Sequence, residues 1–376
     1  MIALAVLGVS WAIHVGAVIK RPAVEPVARF AVAEPTESIG RLRETGVHDL
    51  PAPAGMPASH SSTLVTAKGA DGADRLVAFW FAGARESAAD VRIYASRFDA
   101  SGAPGREWSE PVAVVDRDML GKALGFGVRR IGNPVAWADG RGRVHLFVVA
   151  TGLGGWAASR IVHLVSDDGA RRFAADRALA LSPLFNTSML VRGAPVPMAD
   201  GGALLPIYFE IGAKYPLVLS LSPDGSPTDL VRVADGLDFA QPSIAPLGPD
   251  AGVALLRDVG NGRRLRLVHT RDGGRTWSKL ETSDQPNADA SVVALRLPDG
   301  SLVAASNPLE KGRHALALLR SFDGVHWQRW RQVEEGRVGD EFSYPSLHLM
   351  GGTLHLSYTW QRRHIRHRSF AMEPAS

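Results

Sequence analysis

With 376 residues, 45% of them hydrophobic and 21% charged, the chain is ordinary globular material, long enough for one large all-β or α/β-barrel domain or two smaller ones. Its 39 glycines and 24 prolines enrich it in turn formers and point towards many short strands. A net charge of +4 suits an anionic ligand better than a cationic one, yet no Lys/Arg block of the kind that tracks phosphates occurs, which argues against nucleic acid; the lack of cysteine removes disulfides, thiolate metal sites and cysteine nucleophiles together.

In chain order, Ile2 to Ile19 is an apolar run of 18 residues followed at once by Lys20 and Arg21. That is just long enough to span a membrane, and residues 1–21 read as a signal anchor or signal sequence, with possible membrane anchoring through residues 2–19. Such a segment implies an extracytoplasmic location, periplasmic or at the cell surface, although the basic pair by itself favours a cytoplasmic flank. Residues 22–55, with Pro22, Pro26, Pro35, Pro51 and Pro53, read as a proline-rich tether.

Beyond residue 55 one arrangement recurs. Ser166-Asp167-Asp168-Gly169 with Phe173, Ser222-Pro223-Asp224-Gly225, Thr270-Arg271-Asp272-Gly273-Gly274 with Trp277, and Ser321-Phe322-Asp323-Gly324 with Trp327 share one plan, and Ser96-Arg97-Phe98-Asp99 with Trp108 is a fainter copy. The aspartates at 168, 224, 272 and 323 lie 56, 48 and 51 residues apart. Each station follows an alternating apolar strand such as Leu265-Leu267-His269 or Ala315-Ala317-Leu319, so the unit is a hairpin whose Asp accepts backbone N–H groups, whose glycines take positive φ and whose aromatic plugs the turn from beneath. Further strand runs, among them "GGALLPIYFEI", "AGVALLRDV", "GSLVAASNP" and "GTLHLSYTW", fill the intervals. A period near 50 with about four strands per unit predicts an all-β fold, a β-propeller, and six units fit between His60 and Phe370.

These stations resemble the Asp-box, or bacterial neuraminidase repeat, of the sialidase superfamily. The resemblance covers residues 56–372 and implies a six-bladed sialidase-like propeller, with the Asp boxes on the rim away from the active face and no catalytic part for their aspartates. Sialidases hold a substrate carboxylate with three arginines, use an Asp as acid/base, and attack with a Tyr activated by a Glu, an exception to two-carboxylate glycosidase chemistry. In "FWFAGARESAADVRIYASRFD", Arg85 and Asp90 fall where sialidases place an active-face arginine and the acid/base. Arg257 in "GVALLRD" and Arg313 in "EKGRHALALLRS" resemble the second and third arginines, and Tyr344 in "DEFSYPSL" the nucleophile, with Asp340 and Glu341 near enough in sequence to take its proton. Two positions depart from the pattern. His60, in "PASHSSTLV", stands in the region of the first arginine, and Gln241 stands where the activating Glu is expected, although an amide cannot act as a base. Fragments such as "SHSST", "GNPV", "LFNTSMLV", "FAQPS" and "EFSYPSL" look like a divergent bacterial and plant branch of sialidase-like proteins. Asn133, Asn186, Tyr208 and Glu210 are expected to wall the pocket, and Glu210 can replace the missing base.

No cofactor is called for and no metal site stands out; His364 and His367 in "RRHIRHR" point to opposite faces of a strand that reads as solvated. Three functions fit. The first is a glycoside hydrolase acting on a terminal acidic sugar. The second is a polysaccharide lyase in which His60 and Tyr344 serve as base and acid on a uronic acid, and the third is a propeller that binds an acidic glycan without chemistry.

Overall fold

A computed structural model describes residues 28–69, 71–103, 105–181 and 186–375. The first strand, β1 (Ile39–Asp49), belongs to the last blade. Blade 1 comprises β2 (Ala58–Lys68), β3 (Asp74–Gly83), β4 (Arg92–Arg97) and β5 (Val112–Val115); after helix α1 (Arg117–Leu124), blade 2 comprises β6 (Arg130–Ala138), β7 (Val144–Thr151), β8 (Ser159–Ser166) and β9 (Ala174–Ala178). In blade 3, β10 (Met189–Val191) and β11 (Val196–Pro197) share the inner edge, followed by β12 (Ala203–Phe209), β13 (Tyr215–Leu221) and β14 (Pro227–Arg232). Blade 4 holds β15 (Phe239–Pro246), β16 (Gly252–Asp258), β17 (Arg264–Thr270) and β18 (Glu281–Pro286), and blade 5 holds β19 (Val293–Arg296), β20 (Leu302–Ser306), β21 (Ala315–Ser321) and β22 (Gln328–Glu335). Blade 6 is β23 (Phe342–Met350), β24 (Thr353–Trp360), β25 (His364–Pro374) and β1. Every blade is an antiparallel meander, and together they form a six-bladed β-propeller.

The middle strands face two neighbouring blades at once, so they carry apolar residues on both sides; every residue of β7, VHLFVVAT, is buried. Outer strands are half solvated, and β9 (AADRA) and β18 (ETSDQP) have polar sequences to match. The repeated turns lie between the third and fourth strands. In blade 4 the Thr270 hydroxyl and the Thr276 N–H both donate to Asp272 Oδ1, at 2.8 and 2.9 Å, and Trp277 Nε1 donates to Gly274 O at 3.1 Å. Blade 5 repeats this with Val325 N and His326 N on Asp323 Oδ1 and Trp327 Nε1 on Gly324 O. The Asp boxes are thus hairpin locks at the end of the molecule opposite the inter-blade loops.

The stretch expected to be a tether is largely part of the fold. β1 pairs with β25 from Ile39↔Pro374 to Asp49↔Arg366 and closes the ring, joining the two ends of the described chain within one sheet. Before it, Phe30 is 2% exposed in the core, and residues 28–38 cross the Asp-box face as a strap, with Phe30 N donating to Pro249 O, Ala31 N to Pro197 O and Thr36 N to Pro298 O. The strap borders a cavity of 510 Å³ at that end, lined by apolar groups such as Leu64, Trp137 and Ile244. Residues 1–21 lie outside the described residues; among those described, no helix is long and apolar enough to cross a membrane. The strand expected to be solvated is second from the edge, and His367 is fully buried, held by His355 Nδ1 at 2.9 Å and Trp108 Nε1 at 3.3 Å.

Candidate active site

The innermost strands run away from the inter-blade face, and at that face each blade bends its backbone in the same way. Ser61, Asn133, Ser188, Gln241, Asp289 and Tyr344, one from each blade, all have φ between 45° and 61°. In β2, β6, β15 and β23 this residue falls where the register shifts, between His60 and Thr63, Gly132 and Val135, Ala240 and Ser243, and Ser343 and Ser346. A left-handed residue at a bulge re-aims the side chain and costs about 1–3 kcal/mol where it is not glycine, a strain that surrounding structure must hold. The fragments "SHSST", "GNPV", "NTSML", "AQPS" and "SYPS" are therefore one device: a turn that gathers polar side chains around the axis.

Tyr344 is the bulkiest of the six. His60 packs edge-on against its ring with centroids 4.6 Å apart, and the guanidinium carbons of Arg192 and Arg313 lie 5.3 and 5.7 Å from its centroid. Arg257 adjoins it: burial disfavours the Arg257 charge, but the neighbouring Tyr344 and Asp289 outweigh that and raise its pKa. Arg257 donates to Asp289 Oδ1 at 2.6 Å and to Gln241 Oε1 at 3.0 Å, and Gln241 Nε2 donates to the Tyr208 hydroxyl at 3.4 Å. Arg313 donates to Asp289 O at 2.9 Å and pairs with Glu341 at 3.4 Å.

Of the residues expected from sequence, His60, Tyr208, Gln241, Arg257, Arg313 and Tyr344 form one contiguous cluster. Asn133 occupies the equivalent left-handed position in blade 2. Glu210, at the end of β12, is half-buried; burial raises its pKa, against the pull of Lys214 and Arg257. Arg85 and Asp90 sit in the β3–β4 loop on the same face, both exposed, with Asp90 Oδ2 accepting from Ala84 N at 3.1 Å. No direct contact joins them to Tyr344 among the described residues.

Three expectations need correction. Glu341 is engaged elsewhere and has no hydrogen bond to Tyr344 among the described residues: it takes Ser343 Oγ and Arg362 Nε, each at 2.7 Å, and these bonds outweigh burial and lower its pKa. Asp340 instead accepts from Arg337 N at 2.7 Å. Asn186 is no pocket wall, because its amide is spent on the Leu179 carbonyl and the Leu181 N–H. Sequence reasoning also missed Arg192 and Asp289. Arg192 is hidden in the apolar run "SMLVRGAPVP", and its one signal is the following Gly193, where a Cβ would come within 2.3 Å of Pro242 O, a close approach of blade 3 to blade 4.

Burial sets the protonation of the remaining groups. His60 is 3% exposed with no partner for either ring nitrogen; burial, together with Arg362, Arg313 and Arg192, pulls its pKa down to about 3 despite Glu341. It is a neutral imidazole able to donate from one nitrogen and accept at the other. Burial also lowers Arg192 to about 10, still a cation at neutral pH, and raises the Tyr208 phenol above its usual range.

The profile of the BNR repeat-like domain family matches residues 74–356. The chain belongs to that family. Among solved structures, a Hadza microbial sialidase is 18% identical with a TM-score of 0.66, covering 84% of this chain and 66% of its own length. A Dyadobacter fermentans protein of unknown function is 15% identical with a TM-score of 0.67, covering 89% of this chain and 100% of its own. The leech intramolecular trans-sialidase, solved with 2,7-anhydro-Neu5Ac, is 13% identical with a TM-score of 0.65, covering 87% and 70%. No curated protein sequence matches. At these identities the likeness establishes the fold alone, that of the sialidase-like BNR propellers.

Proposed function

We propose that the protein is an extracytoplasmic glycoside hydrolase that removes a terminal acidic sugar from a glycan. The observation that carries this reading is Tyr344, set on a left-handed backbone at the inter-blade face with Arg192, Arg257 and Arg313 around it. A phenol amid guanidinium groups suits attack on an anomeric carbon whose substituent is an anion, because a carboxylate nucleophile there would be repelled. Arg257 and Arg313, each already paired with an acid of the protein, border the place of the sugar's acidic group, and Arg85 stands at the lip. Asp90, exposed in the β3–β4 loop of the same face, is the acid/base. Gln241 cannot take the Tyr344 proton, and that task passes to Glu210, whose raised pKa brings it nearer to the operating pH. Tyr208 and Asn133 complete the polar wall.

The contact between His60 and Tyr344 favours, as a second reading, a lyase with His60 as base. A pKa near 3 makes His60 a very weak base, so the hydrolase accounts better for the same geometry. His60 then serves as a neutral partner for a sugar hydroxyl. Replacing Asp90 with Asn or Glu210 with Gln should each lower turnover about 10²–10⁴-fold with little change in unfolding temperature. Full activity in either variant would remove that residue from the mechanism.

A further inference from the structure

We propose that Arg192 is the guanidinium that receives the carboxylate of the substrate. This rests on the reading that the inter-blade face takes an acidic sugar, and it assigns the recognition to a residue outside the expected set.

The argument is one of charge balance. Around Tyr344, Arg257 is paired with Asp289 at 2.6 Å, Arg313 with Glu341 at 3.4 Å, and Arg362 with Glu341 at 2.7 Å and Glu86 at 3.0 Å. These arginines are already neutralised by the protein's own acids. Arg192 has no carboxylate partner among the described residues, although it is 5% exposed and still charged at neutral pH. Its Nη2 donates to Pro345 O at 2.7 Å, next in sequence to Tyr344, while its buried Nε has no acceptor. A cation taken out of water without a counter-ion is costly, and an arriving carboxylate relieves that cost while meeting a planar fork suited to it.

The neighbour of this charge supports the assignment. His60 stands in the region where the first sialidase arginine is expected, packs on the same Tyr344 ring, and is uncharged with both nitrogens free. The positive charge missing from blade 1 is thus present in blade 3, on the other partner of the same ring. The site keeps its anion recognition with the guanidinium moved two blades along, and leaves a neutral donor and acceptor in the old place for a hydroxyl.

The test measures binding, with no turnover required. N-acetylneuraminic acid, glucuronic acid and the methyl ester of each are titrated calorimetrically into the wild-type protein, Arg192→Gln and Arg192→Lys. The wild type should bind at least one acid more tightly than its ester. Arg192→Gln should weaken that acid by about ten-fold or more while leaving its ester within about three-fold, so that the two affinities converge. Arg192→Lys, which keeps the charge and loses the fork, should fall between. Equal weakening of acid and ester would assign Arg192 a purely structural part, and undiminished acid binding would equally overturn the proposal while leaving the acidic-sugar reading standing. A wild type that binds neither acid better than its ester would overturn both. Should Arg192→Gln fail to fold, the wild-type complex decides: a carboxylate oxygen within hydrogen-bonding distance of Arg192 Nε is expected, and a carboxylate bound only by Arg257 and Arg313 refutes the assignment.

Discussion

Acid should destabilise this propeller through its buried histidines before it reaches the carboxylates. His355 in β24 is 3% exposed, and its Nδ1 meets His367 Nε2 at 2.9 Å; burial pulls its pKa from 6.5 down to about 4, and His367 is lowered as well. Blade 2 has the same pair on its second and third strands, His145 and His163, 2.8 Å apart, with Asp139 and Asp176 at the outer ends and His163 also near 4. A histidine held neutral in the fold but protonated in the unfolded chain contributes stability that is fully present above pH 6.5 and is lost as the pH falls towards 4. At about 1.4 kcal/mol per pH unit, His355 alone accounts for about 3 kcal/mol over that window. The Asp-box carboxylates have depressed pKa values, with Asp224 near 2 through bonds from the Ser222 hydroxyl and the Ser226 N–H, so their contribution is lost only at lower pH. Urea unfolding followed by tryptophan fluorescence between pH 7.5 and 4 should show the wild type losing stability progressively. His355→Asn keeps a hydrogen-bonding atom near the Nδ1 position and cannot titrate, so its curve should be shallower by about 3 kcal/mol over the same range. Parallel curves for the two proteins, or a wild type whose stability does not change between pH 6.5 and 4, would refute the linkage.

Two further perturbations test the packing. Gly225, in the blade 3 Asp-box turn, has φ of 82°, and a Cβ there would lie 2.7 Å from His145 Nδ1 and from His163 Cε1; Gly225→Ala should cost about 2–4 kcal/mol, and a thermal unfolding curve matching the wild type would show that this turn does not seat on the histidine pair. Phe30→Ala removes the buried anchor of the strap and should cost about 3–5 kcal/mol, whereas an unchanged midpoint would mean that residues 28–38 lie on the fold without supporting it.

The architecture is legible in the sequence because its signal is local: an Asp box needs only Ser or Thr, Asp, Gly and an aromatic within a dozen residues, and each copy announces a hairpin. The sixth blade has no such copy, since its third and fourth strands, β25 and β1, come from opposite ends of the described chain. That closure joins residues more than 300 positions apart, and β1, with IGRLRETGVHD half exposed as an outer strand, looks like linker until its partner is known. In the site, Tyr344, Arg257 and Arg313 are visible because they stand beside distinctive turns. Arg192 is not, because its surroundings read as an ordinary core strand with Gly193 as the one faint signal, and the lack of a carboxylate partner among the described residues is a property of the folded state. The six left-handed residues show a similar limit: three precede proline and none is glycine, so composition alone conceals a strained ring that the backbone makes plain.

The central claim is that Tyr344 and its ring of arginines form a hydrolytic site for an acidic sugar. Its most direct test is incubation of the purified protein, and of Tyr344→Phe, with a panel of sialosides and uronate glycans, reading both new reducing ends and ultraviolet absorbance. The account predicts reducing ends from at least one acidic glycan with the wild type, none with the variant, and no absorbance from an unsaturated product. Full activity in Tyr344→Phe, an unsaturated product, or tight binding without any turnover would contradict it.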